Sequence, residues 1–371
     1  MAPQPINVAV LGVGMSATVF HIPFIQALPD QFKLVTIFER SATADRSRAR
    51  ELFPTVKVVN KLEDVISDQT IQLVFVSTVN DTHYEYSKLA LEAGKHVVCE
   101  KPLTPTSKAA YELAELAKDR NLVLAVYQNR RQVLAHRWDA DFLTIKKLIG
   151  EGAFGHLSEF QSNFDRYKNE AATTKLWKEE DRPGSGMHYD LGSHLVDQIL
   201  DLFGKPDSVT AILRNSRSIG NPNVPDNFII HLHYNATNER KLPLLATARQ
   251  SILSLQSPQL RFTIKGTDAA FIKHGLDVQE DQLKAGAHEA VARSDFGVEP
   301  ENLQGQLYTS EGMRNVKSER GSYISWFKNV ADAIQSGDRN KLIVTPEQAA
   351  LVIEIIEAAT VSSKEERTVQ L

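Results

Sequence analysis

Ile6-Asn-Val-Ala-Val-Leu11-Gly12-Val-Gly14-Met15-Ser16-Ala17 is the stretch on which the fold turns. The β-branched run predicts a short strand, the glycines a tight turn, and the residues through Leu28 an amphipathic helix. Gly12 permits the turn, Gly14 opens the backbone to a pyrophosphate, and Ala17 is small enough for close helix packing. Free amides at the helix start, from Met15 and Ser16, then face phosphate oxygens. Such turns also follow strands that bind nothing, so context decides. Lys33 to Phe38 supplies a second strand, and Glu39 ends it roughly 20 residues past the motif, at the ribose-reading position. Glu39 suits the adenosine ribose of NAD, whereas Arg40 and Ser41 suit the phosphate of NADP. The cofactor therefore reads as NAD(P), with the choice open.

Strands are expected at Val56 to Val59, Leu73 to Ser77, His96 to Cys99 and Val123 to Val126. They alternate with helical patterns such as Ala109, Leu113, Leu116 and Ala117. Alternation of this kind gives a doubly wound parallel sheet, an α/β Rossmann arrangement over residues 1–128. Ligands bind beyond the carboxyl ends of such strands. Thr78, Asn80 and His83 follow the fourth strand, Glu100-Lys101-Pro102 the fifth, and Asn129-Arg130-Arg131 the sixth.

Composition narrows the partners. With 371 residues, about two domains are expected. A formal net charge of -4 without a basic run argues against nucleic acid or an anionic membrane and for a small molecule. Cys99 is the sole cysteine and reads as a buried strand residue, so no intrachain disulfide forms. No signal-peptide pattern opens the chain and no apolar run is long enough to span a bilayer, which points to a cytoplasmic protein.

Residues 129–371 form the second expected domain. One helix is expected from about Gly184 to Phe203, carrying Asp190 and His194 one turn apart, with Leu191, Leu195, Ile199, Leu202 and Phe203 as its apolar stripe. Asp197 and Asp201 lie on the polar side, and Gly204 with Pro206 stops the helix. Leu157 to Phe164 reads as a strand leading to Asp165, Arg166 and Tyr167. Later runs at Val209 to Leu213, Phe228 to Tyr234, Leu244 to Ser251 and Leu260 to Lys265 suggest antiparallel strands. Ala285 to Gly305 reads as a loop, and Gln279, Glu280 and Asp281 as either substrate-reading groups or a solvated acidic turn. His231 and His233 sit on strand faces without a third ligand nearby in sequence, so no metal site is assigned.

Three signatures in order carry a family resemblance: Gly12-x-Gly14, Gly94-Lys-His96-Val-Val-Cys99-Glu100-Lys101-Pro102, and Tyr189-Asp190-Leu-Gly-Ser-His194. Across nearly its whole length the chain resembles the glucose-fructose oxidoreductase and inositol dehydrogenase superfamily. Arg130-Arg131, Trp138-Asp-Ala-Asp141 and Phe164-Asp165-Arg166-Tyr167 look closest to its NADP-dependent scyllo-inositol dehydrogenase branch.

The resemblance implies a Rossmann domain followed by an α+β domain with a large mixed, mostly antiparallel open sheet. It also implies a homo-oligomer, dimer or tetramer, and a polyol or sugar substrate. Lys101, Asp190 and His194 match the family's catalytic set. A neutral imidazole at His194 suits acceptance of a hydroxyl proton, and an ammonium at Lys101 suits stabilisation of the alkoxide. Two alternatives share the fold: a nicotinamide-sensing regulatory protein without catalysis, and a redox-assisted glycosidase. Gln132 to Arg137 intervenes where this branch runs from the arginines directly into Trp-Asp, which leaves Arg131 and Arg137 as alternatives for one role. Val79 stands where the family often has proline.

Overall fold

The computed structural model describes residues 4–130, 138–171 and 179–371; Arg131 and the stretch 132–137 lie outside them. The chain divides into two compact units. Met1–Asn129, Gln279–Phe296 and Ser322–Ala350 make the first, and Arg130–Val278, Gly297–Gly321 and Leu351–Leu371 the second.

In the first unit, β1 (Ile6–Leu11), β2 (Phe32–Phe38), β3 (Lys57–Val59), β4 (Leu73–Val76), β5 (His96–Cys99) and β6 (Leu124–Val126) form a parallel sheet. Its order, β3-β2-β1-β4-β5-β6, is the expected doubly wound topology. Every residue of β4 is buried, as in a parallel sheet covered by helices on both faces. Ala9, Val74, Val97, Leu113 and Ala117 share one core cluster. Cys99 belongs to it, and burial pushes its thiol well above the usual range, so it serves as a small apolar side chain.

Register then dictates where chemistry can sit. Leu11 pairs with Phe38 and with Val76, Val76 with Cys99, and Cys99 with Val126. The residues that follow, Gly12, Glu39, Ser77, Glu100 and Tyr127, therefore emerge together at the carboxyl edge. The strand order reverses about β1, so Gly12 stands at the switch point.

The second unit is built on a mixed sheet of β7 (Leu157–Asn163), β8 (Ser208–Arg214), β9 (Asn227–Tyr234), β10 (Leu244–Gln250), β11 (Leu260–Gly266), β12 (Ala269–His274), β13 (Gly305–Thr309), β14 (Gly312–Val316) and β15 (Val369–Gln370). Its order is β14-β13-β12-β11-β7-β10-β9-β8-β15, with β7 and β10 parallel and the other pairs antiparallel. Along β9 the side chains Phe228, Ile230, Leu232 and Tyr234 point into the core, while His231 and His233 fall on the opposite, half-buried face. Both histidines bond threonines there, His231 to Thr247 and His233 to Thr210. Ile230, Leu232, Ala246 and Phe262 pack with Leu195 and Ile199 and with Val352, Ile355 and Ala359 of the helix Pro346–Glu365.

Two expected elements differ. The Gly184 to Phe203 helix is two helices, Met187–Asp190 and Gly192–Phe203, separated at Leu191. The first third of the expected loop from Ala285 is helical, because the helix Gln279–Val291 runs into it. It begins with Gln279, buried and accepting the Tyr323 backbone N–H, followed by Glu280, ion-paired to Lys284. Those are structural contacts within the first unit.

Candidate active site

In the first unit the glycine turn is sterically determined. Gly12 has φ +100°, and a Cβ there would lie 2.5 Å from the Ser77 carbonyl oxygen at the end of the neighbouring strand. Only glycine fits a positive φ against that backbone. A Cβ on Gly14, by contrast, would meet nothing within 4 Å, so the turn leaves open space for a ligand close to the main chain. Met15 is exposed, Ser16 half-buried and Ala17 buried. Ser16–His21 winds as a wide π-helical turn before the α-helix Ile22–Ala27, where a continuous α-helix is expected. Such turns often occur at functional sites.

Glu39 is buried and its carboxylate is already engaged. Oε2 accepts from the Ser47 hydroxyl at 2.6 Å and the Ala49 N–H at 3.0 Å, and Oε1 from the Arg48 N–H at 3.2 Å. Burial alone would raise its pKa, but these bonds and the Arg50 charge outweigh it and hold the carboxyl below its ordinary range. A cleft of about 480 Å³ opens beside it, lined by Val13, Glu39, Ser41, Arg46, Arg48, Glu51 and Leu52. Arg40, adjacent in sequence, is exposed and is not part of that lining.

At the ends of β4 and β5, Thr78 bonds Thr82 through their hydroxyls at 2.6 Å, and Asn80 opens a short 3-10 turn. His83 is fully buried, with Nδ1 2.8 Å from the Pro102 carbonyl and Nε2 3.3 Å from the Thr78 carbonyl. It braces one strand end against the other, and burial lowers its pKa. Glu100 is buried beside His21, and its Oε2 accepts the Lys101 N–H at 3.1 Å. Lys101 itself is half-buried.

In the second unit Gly186, at φ +88°, starts the Met187–Asp190 helix; a Cβ there would strike the His188 ring at 2.8 Å. His188 is buried, which pushes its pKa down to about 4. Asp190 is half-buried at the end of this helix, and His194 is buried in the first turn of Gly192–Phe203. The expected polar face is thus mostly interior. Asp197 is buried, and Asp201 pairs with Lys146 at 2.8 Å.

Gln198, one turn beyond His194, anchors the helix. Its Oε1 accepts from Arg261 at 3.0 Å and Ser162 at 3.1 Å, and its Nε2 donates to the Arg130 carbonyl at 2.8 Å. Arg261, 1% exposed, also donates to Asp141 at 3.3 Å. The Arg130 guanidinium lies 3.5 Å from Asp139 and over the Phe164 ring. Burial and the nearby Asp277 carboxylate raise the pKa of Asp139, against the pull of Arg130. Asn129 is buried.

Asp165 accepts the Ser251 N–H at 2.6 Å, with Arg249 3.9 Å away; burial raises its pKa despite both. Arg166 stacks over Phe164, and Tyr167 is half exposed. Among the described residues, no group of three or more His, Cys, Asp or Glu side chains is arranged to hold a metal ion.

The paired units match known proteins in the same order. Residues 6–128 fit the profile "Oxidoreductase family, NAD-binding Rossmann fold" and residues 146–371 fit "Oxidoreductase family, C-terminal alpha/beta domain". The chain belongs to the glucose-fructose oxidoreductase and inositol dehydrogenase superfamily. It is an NAD(P)-dependent oxidoreductase of the dehydrogenase/reductase kind.

An uncharacterized oxidoreductase of Schizosaccharomyces pombe is 42% identical over 99% of this chain and 100% of its own. The scyllo-inositol 2-dehydrogenase (NADP(+)) of Bacillus subtilis is 38% identical over 99% of this chain and 96% of its own. A Bacillus subtilis oxidoreductase of solved structure superposes with a TM-score of 0.86 at 37% identity, covering 99% of each chain. No helix among the described residues of this oxidoreductase is long and apolar enough to cross a membrane.

Sequence reasoning missed His21, Gln198 and Arg261. Gln198 carried a signal, since it continues the Asp190 and His194 face by one more turn. His21 and Arg261 carried none, because their partners are 79 and 63 residues away.

Proposed function

We propose that this oxidoreductase transfers hydride between NAD(P) and a secondary alcohol or hemiacetal carbon of a polyol, an inositol or a sugar. The observation that carries the reading is the set Lys101, Asp190 and His194 in a chain 38% identical, over 99% of its length, to a protein named scyllo-inositol 2-dehydrogenase. When bound, the nicotinamide supplies the hydride acceptor or donor. His194 takes the hydroxyl proton as the carbonyl forms and returns it in reduction. Lys101 stabilises the alkoxide, and Asp190 hydrogen-bonds the substrate hydroxyl. Asn129, Arg130, Asp165, Arg166 and Tyr167 supply the mixed charged and amide groups that suit a molecule bearing several hydroxyls.

The Gly12 cradle, the open space at Gly14 and the strand-end residues Thr78, Asn80, Glu100 and Lys101 would hold the dinucleotide. NADP is the preferred form in this reading. The Glu39 carboxylate is committed to Ser47, Arg48 and Ala49, while Ser41, Arg46 and Arg48 line the cleft beside it, a setting suited to an added phosphate. A homo-oligomer, dimer or tetramer, is proposed on the family resemblance. The exposed side chains Ile212, Leu245, Tyr308 and Met313 on sheet strands support it.

A spectrophotometric screen of inositols and aldoses against NAD and NADP tests class, substrate and cofactor together. Nicotinamide reduction with a cyclitol or aldose is expected, faster with NADP. Tight nicotinamide binding with no turnover for any pair would favour a regulatory protein instead.

A further inference from the structure

His21 lies outside the residues assigned above, yet its surroundings are built with unusual care. It closes the Ser16–His21 turn, is 1% exposed, and is held on three sides by aromatic rings: Tyr127 at 4.6 Å, Phe75 at 5.3 Å and Phe327 at 6.2 Å between centroids. Those contacts leave the imidazole little freedom to rotate. Its Nε2 sits 2.8 Å from Glu100 Oε1, whereas Nδ1 is buried with no hydrogen-bond partner among the described residues. The proton therefore resides on Nε2 and is donated to the carboxylate. The other carboxylate oxygen receives the Lys101 backbone N–H.

We propose that His21 is a positioning residue for Lys101: its Nε2–H keeps the buried Glu100 side chain ionised and oriented, and that carboxylate fixes the Lys101 backbone and balances its ammonium. The proposal rests on the reading of Lys101 as a catalytic group. A buried carboxylate lacking donors takes up a proton rather than bear the charge undissolved. The groups facing Glu100 are His21 from the glycine-turn segment, His83 from the helix His83–Glu92, the adjoining Lys101, and Cys99, whose thiol is neutral. Burial would raise the pKa of Glu100, but the His21 hydrogen bond and the Lys101 charge outweigh it and hold the carboxyl below its ordinary range.

The test is carbon-13 NMR of protein labelled at the glutamate side-chain carboxyl carbon, with Glu100→Gln locating the Glu100 signal. His21→Gln places an amide nitrogen where Nε2 stands and keeps the donor; His21→Leu and His21→Met remove it. Wild type and His21→Gln are expected to keep Glu100 ionised to low pH. In the Leu or Met variant, whichever retains the wild-type near-ultraviolet circular dichroism, Glu100 is expected to titrate about two pH units higher. An unchanged Glu100 titration in a folded Leu or Met variant overturns the proposal, as does a His21→Gln protein that behaves like His21→Leu. Turnover of scyllo-inositol with NADP by Lys101→Ala is measured alongside. Full turnover there would remove the catalytic reading of Lys101 while leaving the His21 and Glu100 result to stand or fall on the NMR.

Discussion

The two units hold their candidate residues by different means. In the first, Gly12, Glu39 and Glu100 follow directly on parallel strands and Thr78 one residue later, so sheet register alone delivers them to one edge. Local hydrogen bonds then fix them, as with Glu39 on the Ser47 hydroxyl and the Arg48 and Ala49 N–H groups. In the second, His194 sits on a buried helix whose place depends on Gln198, Arg261, Ser162, Arg130 and Asp141, side chains scattered along the chain. A site made by register is readable from local pattern. A site made by a buried charged network is not.

The largest expected effect probes both units through their chemistry. Lys101→Ala and His194→Ala should each lower kcat by at least about a hundredfold while nicotinamide binding persists in a fluorescence titration. Near-normal turnover in both would sink the proposed mechanism. Next comes Arg261→Met, which strands Asp141 in the core and should cost about 3–5 kcal/mol in urea unfolding. A loss under about 1 kcal/mol would erase the contrast between the units. Replacing Arg46 or Arg48 by Ala should weaken NADPH binding roughly tenfold each and leave NADH binding unchanged, since an ionic hydrogen bond is worth about 1.5–3 kcal/mol.

Each unit also carries a histidine whose pKa is pushed down to about 4 by loss of solvent, the half-buried His96 in the first and the buried His188 in the second. Both are neutral when folded and protonate near pH 6.5 when unfolded. Their contribution is whole above about pH 6.5 and is lost as pH falls toward 4, with a slope of up to about 1.4 kcal/mol per pH unit for each proton. His188→Gln should flatten its share of that slope in thermal unfolding from pH 7 to 4; an unaltered slope would mean His188 does not titrate there. The smallest effect expected is Ser47→Ala. Ser47 caps the Arg48–Leu52 helix by accepting the Arg50 N–H and also donates to Glu39, so about 1 kcal/mol of stability should go.

The strands of the first unit were legible to within a residue or two, because each is a short β-branched run bounded by turn signals. The strand-end motifs were legible for the same reason. The break at Leu191 was not, since the apolar spacing runs through it. β12 escaped notice because its inward alternation includes Lys273, a charge tolerated in the core through Glu299 at 2.7 Å. β14 is an edge strand and mostly exposed, and β13 beside it buries only Gly305 and Leu307, too little apolar alternation to read. Nothing in the local pattern of Gln279–Phe296 or Ser322–Ala350 announces that these segments return to the first unit. Of the expected pair Arg40 and Ser41, Ser41 lines the cleft beside Glu39 and Arg40 does not; the arginines there are Arg46 and Arg48, the latter opening the helix that Glu39 itself helps to cap.

Hydride transfer from a polyol carbon is the central claim, and isotope tracing reads it without inference. The wild-type protein is incubated with NADP and scyllo-inositol deuterated at its carbinol carbons, and the recovered nucleotide is analysed by mass spectrometry. Deuterium on the reduced nicotinamide, absent when His194→Ala is used, is the predicted result. Tight NADP binding with no deuterium transferred from this or any other carbinol-deuterated inositol or aldose would contradict it.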